Sequence, residues 1–105
     1  QKIPEGRTSA HHLLPAKFDS TISGKTNHDF IETIWNEFKV KAIVQYYPLY
    51  RYPLFVKAGF GNADCPQTDL FFNNMVSFPF HSWMPEEQFD YMVHAVRETI
   101  KKLRS

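Results

Sequence analysis

The chain has 105 residues, 43% hydrophobic, 16% aromatic and 22% charged, which excludes intrinsic disorder and leaves room for one domain. Its 12 basic and 11 acidic residues are mixed along the chain and leave a net charge of +1, so the basic stripe of a nucleic-acid binder is missing. No apolar run approaches the ~20 residues that cross a membrane, and the single Cys65 excludes an internal disulfide or a cysteine-rich zinc site.

Residues 1–8 are polar, contain Pro4 and Gly6, and read as a linker. Residues 9–18 have strand character that Pro15 interrupts or ends, because proline is tolerated mainly at an edge or bulge. A turn-rich loop follows over 19–27. Helix is expected over 28–38, where Phe30, Ile31, Ile34, Trp35 and Phe38 recur on one face. Thr26 or Asn27 caps its start, and Asp29 lies favourably in its first turn. A short, largely buried strand is expected over 41–46. From 47 to 60, Pro48 and Pro53 oppose regular helix, and an extended aromatic loop is expected.

A second helix is expected over 66–74, with Pro66 at the first turn, where a missing N–H costs nothing. A third strand is expected over 76–80. After Pro85, a last helix over 86–103 carries the apolar stripe Phe89, Met92, Val93, Val96, Ile100 and Leu103. Its Lys101, Lys102 and Arg104 complement the negative end of the helix dipole. Three short strands interleaved with amphipathic helices indicate an α+β fold, a small two-layer sandwich with helices packed on one sheet.

The histidines do not form a metal-binding pattern. His11 and His12 are adjacent, so in a strand they face opposite ways, and His28, His81 and His94 lack helical ligand spacing. Cys65 precedes Pro66 at a helix start, where a thiolate would be stabilised, yet it also suits a small loop-packing role. The unusual stretch is 45–55, QYYPLYRYPLF, in which four tyrosines and an arginine accompany two prolines. Tyr and Arg each join a flat apolar body to a polar tip and suit a partly buried contact surface.

From Val44 to Leu103 the chain resembles the C-terminal end of the DegT/StrS-type aminotransferases, which act on keto-sugars carried by nucleotides. Those enzymes carry in succession a V-H-Y-x-P-L-H-like strand, a K-x-G-like element and a helix opening on P-x-T/A-D/E. An L-P-L/F-H-P-like strand and a last helix near D/E-E-x-x-D-Y/F-V follow. The pieces here are Val44-Gln45-Tyr46-Tyr47-Pro48-Leu49-Tyr50, Lys57-Ala58-Gly59, Cys65-Pro66-Gln67-Thr68-Asp69, Ser77-Phe78-Pro79-Phe80-His81 and Glu86-Glu87-Gln88-Phe89-Asp90-Tyr91-Met92. Two positions that the family usually fills with histidine are Gln45 and Tyr50 here.

The resemblance implies a C-terminal small domain, spanning 1–105, of an enzyme that uses pyridoxal phosphate to move an amino group onto a nucleotide-linked sugar ketone. Gln45, Tyr46, Tyr50, Arg51 and His81 would then line the substrate end of the site. The cofactor's lysine, its pyridine-nitrogen partner and most phosphate ligands would lie in a large domain, in the same or a separate chain. The parent would be a cytoplasmic homodimer, and this chain alone would hold no cofactor and no catalytic residue. The start at Gln1 without a methionine agrees with a piece cut from a longer protein. A stand-alone interaction module, one half of a split aminotransferase and a small enzyme using Cys65 or a histidine are the other readings.

Overall fold

The computed structural model describes residues 2–105. Strand β1 (Leu14–Lys17) is followed by the single turn α1 (Ser20–Ser23) and by α2 (Asn27–Phe38). A 3₁₀ turn (Leu49–Arg51), the short α3 (Pro53–Phe55) and a π turn (Val56–Phe60) lead to α4 (Pro66–Asn74). Strand β2 (Met75–Phe78) and the long α5 (Glu86–Arg104) complete the chain.

Strands β1 and β2 pair antiparallel, with Leu14 opposite Phe78 and Lys17 opposite Met75. Among the described residues, only Ile43 pairs on the other side of β2, exchanging both backbone hydrogen bonds with Ser77 at 2.8 and 3.0 Å. Because both backbone groups of Ser77 point to Ile43, its opposite neighbour Pro15 sits at a non-hydrogen-bonded position. The missing N–H of Pro15 therefore costs the ladder nothing, and the strand continues through the proline. Met75 is two residues from Ser77, so its carbonyl also faces away from β1, and the buried Asn27 amide donates to it at 2.9 Å.

The α+β class and the two-layer arrangement agree with expectation, but the expected strand over 41–46 is reduced to the bridge at Ile43. The backbone N–H of Gln45, which a third strand would have turned toward the ladder, donates to the Met75 sulfur at 3.0 Å instead. The π and 3₁₀ turns also replace the extended loop expected over 47–60. Pro48 stands before the first of these turns and Pro53 opens the next, both places where a missing N–H is harmless. The short α1, capped by the Asp19 side chain on Thr21 N–H at 3.0 Å, lies within the expected 19–27 loop.

Helix α2 begins in a capping box: Thr26 Oγ1 accepts from Asp29 N–H at 3.2 Å, and Asp29 accepts from Thr26 N–H at 2.7 Å. It ends on Lys39, whose left-handed backbone (φ 57°) lets its N–H donate to the Trp35 carbonyl at 3.0 Å. The core lies where α2 and α5 cover β2: Phe30, Ile34, Val40, Ala42, Val76, Met92 and Ala95 are buried together. Ala95 and Thr99, with Met92, form the innermost row of α5, whereas Phe89 at the start of the expected stripe is exposed. Tyr91 Oη donates to the Phe38 carbonyl at 3.0 Å, and Lys102 pairs with Glu37, so α5 is held to α2 at two further points.

Candidate functional site

The aromatic stretch is fastened to α4 by one carboxylate. Asp69, in the first turn of α4, accepts through Oδ1 both the Tyr50 hydroxyl and the Arg51 Nη2–H. Local folding explains why these two side chains meet it. The 3₁₀ turn at Leu49–Arg51 is closed by Tyr52 N–H on the Leu49 carbonyl at 3.1 Å, and it puts the successive residues Tyr50 and Arg51 within reach of one oxygen. The Arg51 guanidinium also lies over the Phe72 ring at 5.4 Å and near the Tyr50 ring at 6.0 Å. Phe72 in turn meets the edge of Tyr47 at 5.4 Å, and Tyr47 meets Tyr52 at 5.0 Å.

The electrostatics of this cluster are mutually reinforcing. The Tyr50 hydroxyl above all, with the bond to Arg51 and its charge, holds the Asp69 carboxyl below the usual carboxylate range against the opposing effect of burial. The hydrogen bond to Asp69, with burial and the carboxylate charge adding to it, pushes the Tyr50 phenol above its ordinary value. Burial works against the Arg51 charge, but the bond to Asp69 and its negative charge outweigh this and raise the guanidinium's affinity for its proton. At neutral pH the three groups are therefore a neutral phenol, a carboxylate and a guanidinium. Asp69 is half-buried and leaves Oδ2 without a hydrogen bond among the described residues.

Of the five residues expected at a substrate site, Tyr50 and Arg51 are thus brought together. Gln45 lies elsewhere, in a cleft of about 420 Å³ that His12, Lys41, Ile43 and Phe80 also line. His81 packs its ring at a tilt against the exposed Trp83, 5.0 Å between centroids, and buries Nδ1 without a partner among the described residues. Tyr46 is 60% exposed. No hydrogen bond or ring contact joins Gln45, Tyr46 or His81 to the Asp69 cluster among the described residues. In the sequence, Asp69 stands out only as part of a helix-opening motif. Its partners lie 18 and 19 residues away, a separation that no local pattern reports. No group of three or more His, Cys, Asp or Glu side chains among the described residues could hold a metal ion.

The apolar surface around this cluster is extensive. Leu49, Leu54 and Phe60 are 65%, 73% and 61% exposed, and Leu70 and Phe71 of α4 are exposed beside them in sequence. Single exposed apolar residues are ordinary, but so many within 49–71 leave this segment rich in uncovered apolar side chains.

Comparison with known proteins assigns this fold. The model of the DegT/DnrJ/EryC1/StrS aminotransferase family matches residues 1–97. The spore coat polysaccharide biosynthesis protein SpsC of Bacillus subtilis is 26% identical over 93 residues, which are 88% of this chain and 24% of that protein. The structure of Helicobacter pylori PseC, an aminotransferase involved in the biosynthesis of pseudoaminic acid, superposes with a TM-score of 0.72. That match, at 23% identity, covers 87% of this chain and 24% of PseC. The chain thus spans about a quarter of the length of each of these relatives.

Enzymes of this family use pyridoxal phosphate, whose carrier lysine must be held in a partly dry pocket that lowers its proton affinity. Every lysine from Lys2 to Lys102 is exposed, so the residues present do not fit that role. With the family model spanning nearly the whole length and the fold agreeing, the chain belongs to the DegT/DnrJ/EryC1/StrS aminotransferase family.

Proposed function

We propose that this chain is the C-terminal small domain of a pyridoxal-phosphate-dependent aminotransferase acting on a nucleotide-linked keto-sugar. Its part is to supply substrate-contacting side chains and a packing face, while the cofactor and its lysine belong to a large domain in the same or a separate chain. The observation that carries this reading is the Tyr50–Asp69–Arg51 cluster on a segment whose apolar side chains Leu49, Leu54, Phe60, Leu70 and Phe71 are exposed. A polar, charged group held in fixed geometry amid exposed Leu49, Leu54 and Phe60 suits a site completed by another protein surface. Tyr50 and Arg51 then reach the sugar or its phosphates, with Gln45, Tyr46 and His81 as further substrate contacts, and the parent enzyme is a dimer.

Two measurements test it. The isolated chain is titrated with pyridoxal phosphate and followed for the absorbance of a lysine adduct. The expected result is no saturable one-to-one spectrum. The chain is then joined to, or mixed with, the large domain encoded upstream and assayed for amino transfer from glutamate to a nucleotide-linked keto-sugar. Transfer that requires both parts supports the proposal. A stoichiometric adduct on one lysine of the isolated chain overturns it.

A further inference from the structure

Asp69 does more than tie a loop down. Its Oδ1 accepts hydrogen bonds from the Tyr50 hydroxyl and from one N–H of Arg51 at the same time. A tyrosine hydroxyl has a single hydrogen, so once that hydrogen points at Asp69, the phenol oxygen offers only lone pairs to anything else. Arg51 can only donate, and four of its five N–H groups remain after the bond to Asp69. The guanidinium plane is further steadied over Phe72 at 5.4 Å. Adjacent residues of opposite hydrogen-bonding sense are thus produced by one carboxylate that belongs to a different element.

We propose that Asp69 is a positioning residue that makes Tyr50 an obligate acceptor and Arg51 a fixed donor toward the ligand. The proposal rests on the aminotransferase reading for the ligand's identity, but not for the polarity of the pair. The ligand class that fits donates to Tyr50 through a hydroxyl and accepts from Arg51 through a phosphate or carbonyl oxygen a few ångströms away. A glycosyl phosphate presents both. Groups that can only accept, such as an isolated carboxylate, are rejected at Tyr50 because two oxygens would then face each other with no hydrogen between them.

The first test uses this chain alone and reads the Tyr50 proton by ring-labelled tyrosine NMR, with Tyr50→Phe assigning the signal. The Tyr50 phenol should titrate above the other tyrosines, return to their range in Asp69→Asn, and stay raised in Asp69→Glu. Arg51→Gln should raise it further, because the nearby cation otherwise favours the phenolate. These opposite signs read the hydrogen bond and the two charges around the phenol, and the second test reads their effect on the ligand. Should Asp69→Asn fail to fold, the Asp69→Glu and Arg51→Gln pair still decides the matter. A Tyr50 titration indifferent to both substitutions overturns the proposal.

The second test reads the ligand side in the protein combined with its large domain. Asp69→Asn should raise KM for the sugar acceptor by about tenfold, the loss of one well-formed hydrogen bond, with kcat nearly unchanged and recovery in Asp69→Glu. An unchanged KM beside a shifted Tyr50 titration overturns the ligand assignment. Absence of amino transfer in the unsubstituted combined protein, with the Tyr50 signs as stated, overturns the proposed function and leaves the positioning role standing.

Discussion

The Asn27 side-chain amide donates to the Met75 carbonyl at 2.9 Å across a separation of 48 residues, and Asn27 is only 3% exposed. This bond replaces the one that a third strand would have made at that point of β2. Asn27→Ala leaves a buried carbonyl without a donor and opens a small void. We expect a loss of about 1–3 kcal/mol, read as a shift of the urea midpoint without a change in slope. A loss below about 0.5 kcal/mol would mean that water reaches the carbonyl.

Ile34 is fully buried on α2 in the core it shares with Met92 and Ala95. Ile34→Ala removes three carbons from a site enclosed by two helices and a strand. The expected cost is about 2–5 kcal/mol, which lowers the melting temperature of a domain of this size by at least about 8 °C. Trp35→Ala, one position along on the exposed face of the same helix, should cost far less. Comparable losses at both positions would contradict the assigned face.

The capping box predicts an acid limb. The Thr26 backbone N–H, and then its hydroxyl, hold Asp29 below the carboxylate value of 3.8. A carboxyl whose folded value lies below its unfolded one adds stability above about pH 4, and that stability is lost as the pH falls through the folded value. Asp29→Asn should therefore flatten the loss of stability between neutral pH and the acid limb, while lowering stability at pH 7. An acid limb as steep as that of the parent chain would show that other carboxylates dominate.

Gly59 has φ 93°, a left-handed conformation inside the π turn, with open space where a side chain would begin. The substitution Gly59→Ala therefore meets no clash and isolates the backbone cost, expected at about 1–2 kcal/mol. Amide hydrogen exchange should quicken within 53–61 and remain unchanged in α2 and α5. Equal acceleration across the helices would show that the turn and the core open as one unit.

Much of the framework was legible because it is local or periodic. The 3.6-residue spacing located α2 and α5, Pro66 marked the start of α4, and Thr26 with Asp29 announced the capping box. What escaped depends on which partner each group finds. Gln45 N–H bonds a sulfur rather than a strand, which ends the third strand after one bridge. Pro48 and Pro53 suggested extension, yet each stands at the start of a tight turn where it is compatible with helical geometry. Tyr50 and Arg51 were singled out for their chemistry, but the carboxylate that sets their orientation became visible only in three dimensions. On α5 the stripe was assigned to the large residues, whereas close approach to α2 selects the small Ala95 and Thr99.

The outer margin of β1 has a consequence for how the protein behaves in concentrated solution. Pro15 occupies that margin with no N–H to offer, and the next outward position is the charged Lys17. A neighbouring molecule seeking to add a strand would find one donor missing and an ammonium to desolvate. The chain can therefore expose many apolar side chains over 49–71 while the β1 edge of its sheet resists strand addition. If it associates with itself, it should do so through side chains, reversibly, and without growth of β-structure.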